Sequence, residues 1–176
     1  MQLILISGGQ KSGKSRYAEQ RALALCTRPA YLATSRIWDD DFAQRIARHQ
    51  AQRDSRWVNL EQEVDLAAHG FSGEVMVLDC ITLWLTNLFT DCAYDGDATL
   101  LEAQTRWAAF VACTPQIVIA VGNEIGWSLH AETQMGRHFV DLHGSFMQWV
   151  AVQANEVVLM VAGLPLTVKA PAANEF

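Results

Sequence analysis

Eight consecutive residues, Gly8-Gly9-Gln10-Lys11-Ser12-Gly13-Lys14-Ser15, carry the most specific chemistry in the chain. They satisfy G-x-x-x-x-G-K-S, a loop that cradles the phosphates of ATP or GTP. Glycines let successive backbone N–H groups face phosphate oxygens, and a helix starting at the end of the loop adds its positive pole. Lys14 is the residue to reach the β- and γ-phosphates, and the Ser15 hydroxyl the one to ligate Mg²⁺. Two acids fit the same site. Asp79 closes the apolar run Val75–Leu78, where such proteins keep a metal-organising carboxylate; an N-cap or surface acid is the plainer alternative. Glu124 follows another apolar run and either shares that task or is structural.

A third group is basic. On a helix, Arg45, His49 and Arg53 stand four residues apart and share one face. Flanking arginines disfavour protonation of the imidazole, leaving it neutral and nucleophilic near neutral pH. Such an imidazole can attack phosphorus while the arginines hold phosphate oxygens. From residue types alone, a solvated basic face with a bystander histidine is the simpler reading. His138 and His143, five apart, make a poor helical metal pair and read as structural. Trp38 and Trp127 lie beside these loops and could offer a flat surface to a large ligand.

These residues need a scaffold that gathers them at one edge. The periodicity predicts a buried strand over Leu3–Ile6, a helix from Lys14 to about Leu25, and a short strand over Ala30–Thr34. An acid-capped helix from Asp39 to about Arg53 and an extended piece at Trp57–Leu60 follow, with a helix over Glu61–His69. Then come a strand over Glu74–Asp79, a helix over Leu83–Phe89, a loop at Cys92–Asp97 and a helix over Thr99–Cys113. A strand over Gln116–Val121, a long helix over Thr133–Ala154, a strand over Glu156–Val161 and an edge strand over Leu164–Val168 complete the pattern. Strands alternating with helices imply an α/β sandwich with a mainly parallel sheet, whose ligands bind beyond the C-terminal strand ends. One domain over residues 1–169 and a frayed tail over 170–176 are expected.

Composition limits the partners. With 51% hydrophobic and 18% charged residues in 176, the chain suits one soluble globule, and no apolar run approaches a bilayer span. The N-terminus lacks the basic region of a signal peptide, so a cytoplasmic protein is expected. Four scattered cysteines without a CxxC pair read as reduced thiols, several of them buried. The net charge of −6 argues against nucleic acid. Residues 1–56 nevertheless carry ten basic against five acidic side chains, while the remainder carries three against fourteen. The positive charge gathers around the glycine loop, which suits a compact polyanion such as a triphosphate.

Over nearly its whole length the chain resembles the bifunctional cobinamide kinase/cobinamide-phosphate guanylyltransferases of adenosylcobalamin biosynthesis. The resemblance is carried by the loop Ser7–Arg16, Tyr31-Leu-Ala-Thr-Ser35, Arg45-Ile-Ala-Arg-His49, and Trp57 with Glu61. Leu78-Asp-Cys-Ile-Thr82, Thr86-Asn87-Leu88, Asn123-Glu124-Ile-Gly126, Arg137-His-Phe139 and Gly163 continue it. It implies a RecA-like P-loop NTPase fold, a three-layer sandwich, and a homotrimer. It implies phosphorylation of adenosylcobinamide by ATP or GTP, then transfer of GMP from GTP through a guanylyl-histidine. His49 matches that histidine, which reverses the bystander reading. The nucleotide contacts it implies are Gly8, Gly9, Gln10, Lys11, Ser12, Gly13, Lys14, Ser15, Ala33, Thr34, Ser35, Gln50, Ala51, Gln52, Arg53, Glu61 and Asp79, with Ser15 and Asp79 toward Mg²⁺. The chain departs from the usual pattern at Gln10-Lys11, Gly126–Glu132, Phe139-Val-Asp141 and Met147-Gln148. A small-molecule P-loop kinase without guanylyl transfer, or a non-catalytic nucleotide-binding relic, are the alternatives.

Overall fold

The apolar run at the N-terminus forms β1 (Gln2–Gly8), the fifth strand of a seven-stranded sheet that reads β3-β2-β4-β5-β1-β6-β7 among the described residues. The structure, a computed structural model, describes residues 1–37, 53–114 and 116–171. The remaining strands are β2 (Ala30–Ala33), β3 (Val58–Glu61), β4 (Val75–Asp79), β5 (Ile117–Val121), β6 (Glu156–Val161) and β7 (Leu164–Lys169). β1 to β6 run parallel, and β7 returns antiparallel on β6 as an exposed edge. The helices are α1 (Lys14–Leu25), α2 (Ile81–Asp91), α3 (Gly96–Cys113) and α4 (Gln134–Gln153), with a 3-10 turn at Leu66–His69.

Alternation along each strand sends side chains to two cores. Leu3, Leu5, Met76, Leu78, Val118 and Ala120 face one layer, with Trp84, Trp107 and Phe146 from α2, α3 and α4. Those rings pack at centroid distances of 5.5–6.2 Å, and truncating one such ring to alanine costs about 3–5 kcal/mol. On the opposite face Ile4, Ile6, Val77, Ile119 and Met160 meet Ala18 and Ala22 of α1. The fold is thus a three-layer α/β sandwich. Arg21 of α1 grips the carboxylate of Glu156 on β6 through two 2.9 Å hydrogen bonds, which fixes the helix on the sheet.

Helix starts differ in one informative way. Cys80, Asp95 and Thr133 each accept a backbone N–H at the N-termini of α2, α3 and α4. The cap of α1 is Gly13, at φ 96°, which offers no side chain. Its first N–H groups therefore have no side-chain cap, the arrangement that suits an anion in the loop.

Most expected elements occur with ends shifted by a few residues. The exception is Glu61–His69, expected as a helix. Glu61 instead ends β3, paired with Ala33, and only Leu66–His69 forms a helical turn. Parallel pairing with β2 outweighs local helix preference there. Gly96 and Asp97, expected in a loop, begin α3. The helix expected up to Arg53, with Trp38, Arg45 and His49, lies outside the described residues except for Arg53 itself. The tail beyond Pro171 also lies outside them.

Candidate active site

The glycine loop leaves β1 at Gly8. A Cβ there would lie 2.6 Å from the Met160 carbonyl oxygen and 2.8 Å from Ser12 Oγ, so the turn beside β6 admits no side chain. The Ser12 N–H donates to Gly9 O at 3.2 Å, and the Gly163 N–H of the β6–β7 turn donates to Ser12 O at 3.1 Å. Lys11 holds φ 57°, a left-handed conformation that costs a non-glycine residue about 1–2 kcal/mol. Ser12 Oγ is buried with no hydrogen-bond partner among the described residues. Such a group fits a loop built to bind a polar ligand.

Lys14, only 7% exposed, donates from Nζ to Gly9 O at 2.6 Å. Burial lowers the pKa of its ammonium, and the nearby Asp79 and Glu124 carboxylates oppose that shift. The loop lysine therefore sits within the field of both strand-end acids. This brings together the three features that the sequence placed at one edge.

Asp79 ends β4 in the same register row as Ala33 of β2, which in turn pairs with Glu61 of β3. The Tyr31 hydroxyl donates to Asp79 Oδ2 at 2.6 Å, while Oδ1 has no hydrogen bond among the described residues. Tyr31 is buried edge-on against Trp57, and the Arg53 guanidinium lies 3.8 Å over its ring. Burial, reinforced by Asp79, pushes the Tyr31 phenol well above its ordinary pKa. Arg53 also donates from Nε to Asn59 at 2.7 Å, and its buried Nη1 has no partner among the described residues. Glu19 of α1 has its carboxyl pushed up by burial, with Arg53 opposing and Asp79 reinforcing.

Thr34 is fully buried and ties the strand ends together. Its hydroxyl donates to Cys80 O at 2.8 Å and accepts from Cys80 N at 2.9 Å, while its N–H donates to Asp79 O. Asn87 of α2 donates to both Thr34 O and Glu63 O at 2.8 Å. The Ala33–Ser35 segment is thereby fixed to Asp79 through its backbone. Cys80 Sγ accepts from the Leu83 N–H at the start of α2, and burial pushes its thiol up to about 12. It is inert, as expected of a buried cysteine.

The end of β5 is anchored as firmly. The Glu124 N–H donates to Gly8 O at 2.9 Å, and the Ser7 hydroxyl donates to Glu124 Oε1. The preceding Asn123 N–H donates to Thr82 Oγ1 at 2.9 Å, which is also hydrogen-bonded to His143 Nε2 at 3.0 Å. His143 is buried, and loss of hydration lowers its pKa to about 4, so its imidazole is neutral near pH 7. Beside Glu124 an open cleft of about 330 Å³ runs between α4 and the β1–β6 pair. Ser7, Glu124, His143, Met147 and Gln148 line it, and Trp127, 74% exposed, stands at its rim.

Of the expected nucleotide contacts, Gly8 to Ser15, Ala33 to Ser35, Arg53, Glu61 and Asp79 lie along this edge. His49, Gln50, Ala51 and Gln52 lie outside the described residues. His138 is exposed on α4 while His143 faces Thr82, so the two form no metal pair, and no group of three or more metal-ligating side chains occurs among the described residues. Ser7, Tyr31, Thr82 and His143 are not site candidates from the sequence. Ser7, Tyr31 and Thr82 do stand inside the motifs that carry the family resemblance, but their partners are distant in sequence.

The family model for cobinamide kinase / cobinamide phosphate guanyltransferase matches residues 4–168. The chain belongs to this family. It is 37% identical to the bifunctional adenosylcobalamin biosynthesis protein CobU of Escherichia coli K12, over 95% of this chain and 99% of that protein. It is 36% identical to the bifunctional adenosylcobalamin biosynthesis protein CobP of Pseudomonas aeruginosa, over 94% and 96%. The fold is RecA-like: β5 lies between the P-loop strand β1 and the Asp79 strand β4. Flagellar accessory protein FlaH from Methanocaldococcus jannaschii shares it, with a TM-score of 0.51 at 14% identity over 97% of this chain and 79% of that one. Membership in the cobinamide kinase family gives the strand-end acids and the P-loop a common purpose.

Proposed function

We propose that this protein phosphorylates the aminopropanol hydroxyl of adenosylcobinamide with ATP or GTP, and then transfers GMP from GTP to the resulting phosphate. The observation that carries this reading is the buried P-loop lysine, bonded to Gly9 O and within the electrostatic reach of Asp79 and Glu124, in a chain that matches the cobinamide kinase / cobinamide phosphate guanyltransferase model from residue 4 to 168. In the first reaction the alcohol oxygen forms a bond to the γ-phosphorus, the γ-phosphorus–oxygen bridge breaks, and a nucleoside diphosphate leaves. Lys14 and the N–H groups of residues 8–15 hold the phosphates.

In the second reaction His49 nitrogen bonds to the α-phosphorus of GTP and pyrophosphate leaves. A phosphate oxygen of the acceptor then displaces the histidine, which returns free. In this reading Arg53, whose guanidinium packs on the Tyr31 ring, holds phosphate oxygens. Gln50, Ala51, Gln52, Ala33, Thr34, Ser35 and Glu61 complete the nucleotide contacts in this reading.

Ser15 and Asp79 offer a hydroxyl and a carboxylate oxygen, hard donors of the kind Mg²⁺ takes alongside phosphate and water. Among the described residues, Tyr31 occupies Oδ2 of Asp79 and leaves Oδ1 without a hydrogen bond. Bound there, Mg²⁺ would supply charge neutralisation of the departing phosphates.

The same reading places the protein in the cytoplasm as one domain over 1–169, acting as a homotrimer. Support for self-association comes from the β7 edge, where Leu164, Leu166 and Val168 are each more than half exposed beside Val161. An apolar edge strand of this kind requires cover. Among the described residues no helix is long and apolar enough to cross a membrane.

Turnover tests the reading. Purified protein with Mg²⁺, GTP and adenosylcobinamide should give the phosphate and then the GDP derivative by mass spectrometry. Phosphate without the GDP derivative would leave a simple kinase. Nucleotide binding without either product would leave a non-catalytic relic.

A further inference from the structure

The loop, Asp79 and Lys14 account for the nucleotide but leave the acceptor's hydroxyl proton without a destination. Three observations converge on one atom group. Glu124 lies within the field of Lys14, the residue that meets the terminal phosphates. Its backbone is tied to the loop through Gly8 O, and its Oε1 is held by Ser7. The same side chain lines the open cleft of about 330 Å³ between α4 and β1–β6, on the sheet face opposite α1. Glu124 is the carboxylate among the residues lining that cleft.

Building on the kinase reading above, we propose that Glu124 is the general base of phosphoryl transfer, and that the alcohol-bearing arm of the acceptor reaches the phosphate through the α4 cleft. The step balances without a further reagent. As the alcohol oxygen bonds to the γ-phosphorus and the nucleoside diphosphate departs, the hydroxyl proton passes to the Glu124 carboxylate and later to solvent. Ser7 orients the carboxylate. Thr82 and His143 hold Asn123, and so fix the backbone that presents it. Trp127 gives the cleft an exposed aromatic rim, suited to the apolar flank of an acceptor too large to enter whole. The charged or titratable groups near Glu124 are Lys14 from α1 and His143 from α4, and the last stays neutral because it is buried.

Two variants test this. Glu124→Gln keeps the shape and an acceptor oxygen for Ser7 but cannot take the proton. Its kcat for phosphorylation should fall about 100- to 10,000-fold, with GTP affinity held within a few-fold. Glu124→Ala should regain part of its rate when formate is added, a response that a purely structural role would not give. If the wild type phosphorylates adenosylcobinamide and Glu124→Gln keeps its rate within a few-fold, the base assignment is overturned while the kinase reading stands. Loss of GTP affinity in parallel with rate, and no formate rescue, would also overturn it, because Glu124 would then serve the nucleotide. A wild type that phosphorylates no corrinoid overturns both.

Discussion

His143 should make the fold acid-sensitive by a calculable amount. It is buried at 3% exposure against Thr82, and burial lowers its pKa to about 4. In the unfolded chain a histidine titrates near 6.5. A group whose folded pKa is depressed contributes stability above its unfolded pKa, and that contribution is lost as the pH falls toward the folded value. At about pH 5 the unfolded form is protonated roughly thirty-fold in excess while the folded form is barely protonated, which costs about 2 kcal/mol relative to neutral pH. For a chain of this size that corresponds to a fall in Tm of about 4–8 °C. Thermal denaturation of the wild type and His143→Gln at about pH 7 and about pH 5 isolates the effect, because other groups titrate alike in both. The wild type should lose about 2 kcal/mol more than the variant. Equal losses would mean that His143 is charged or hydrated in the folded state, and the Thr82–Asn123 anchor would need another explanation. His69, whose pKa burial also lowers, remains in both proteins and cancels.

Tyr31→Phe keeps the ring under Arg53 but removes the 2.6 Å hydrogen bond to Asp79, and should cost about 1.5–3 kcal/mol by urea denaturation. A loss under about 0.5 kcal/mol would show that the carboxylate does not depend on the phenol. The same phenol, raised above its ordinary pKa by burial, contributes stability that is lost as the pH rises past about 10, so Tyr31→Phe should flatten the alkaline limb of the stability curve. Gly8→Ala should abolish nucleotide binding in calorimetry, because its Cβ would meet the Met160 carbonyl at 2.6 Å. Retained binding would mean that the β1–β6 turn yields.

The loop was legible because everything it needs is local: a buried run before it, glycines within it and a helix after it. Asp79 was legible for a similar reason, as an acid ending an apolar strand. The arrangement that tunes these residues was not. Tyr31 meets Asp79 across 48 residues of chain, and Thr82 meets His143 across 61, so no periodicity announces either pair. Glu61 shows the opposite error. Its neighbourhood favours a helix, yet strand pairing with Ala33 decides its conformation. The sequence leaves Glu124 between a shared metal role and a structural one, and the structure adds the cleft it lines and its hydrogen bond from Ser7, neither of which is local in the chain. His49 shows what spacing cannot do: a histidine between arginines gains its meaning from the family, not from the helix face.

Guanylyl transfer through His49 is the step of the proposed function that one measurement tests most directly. Protein incubated with GTP labelled at the α-phosphate and Mg²⁺ should acquire an acid-labile, alkali-stable adduct. Addition of adenosylcobinamide phosphate should discharge that label into the product, and His49→Ala should form no adduct. An unlabelled wild-type protein, or an adduct that persists in His49→Ala, would contradict the account.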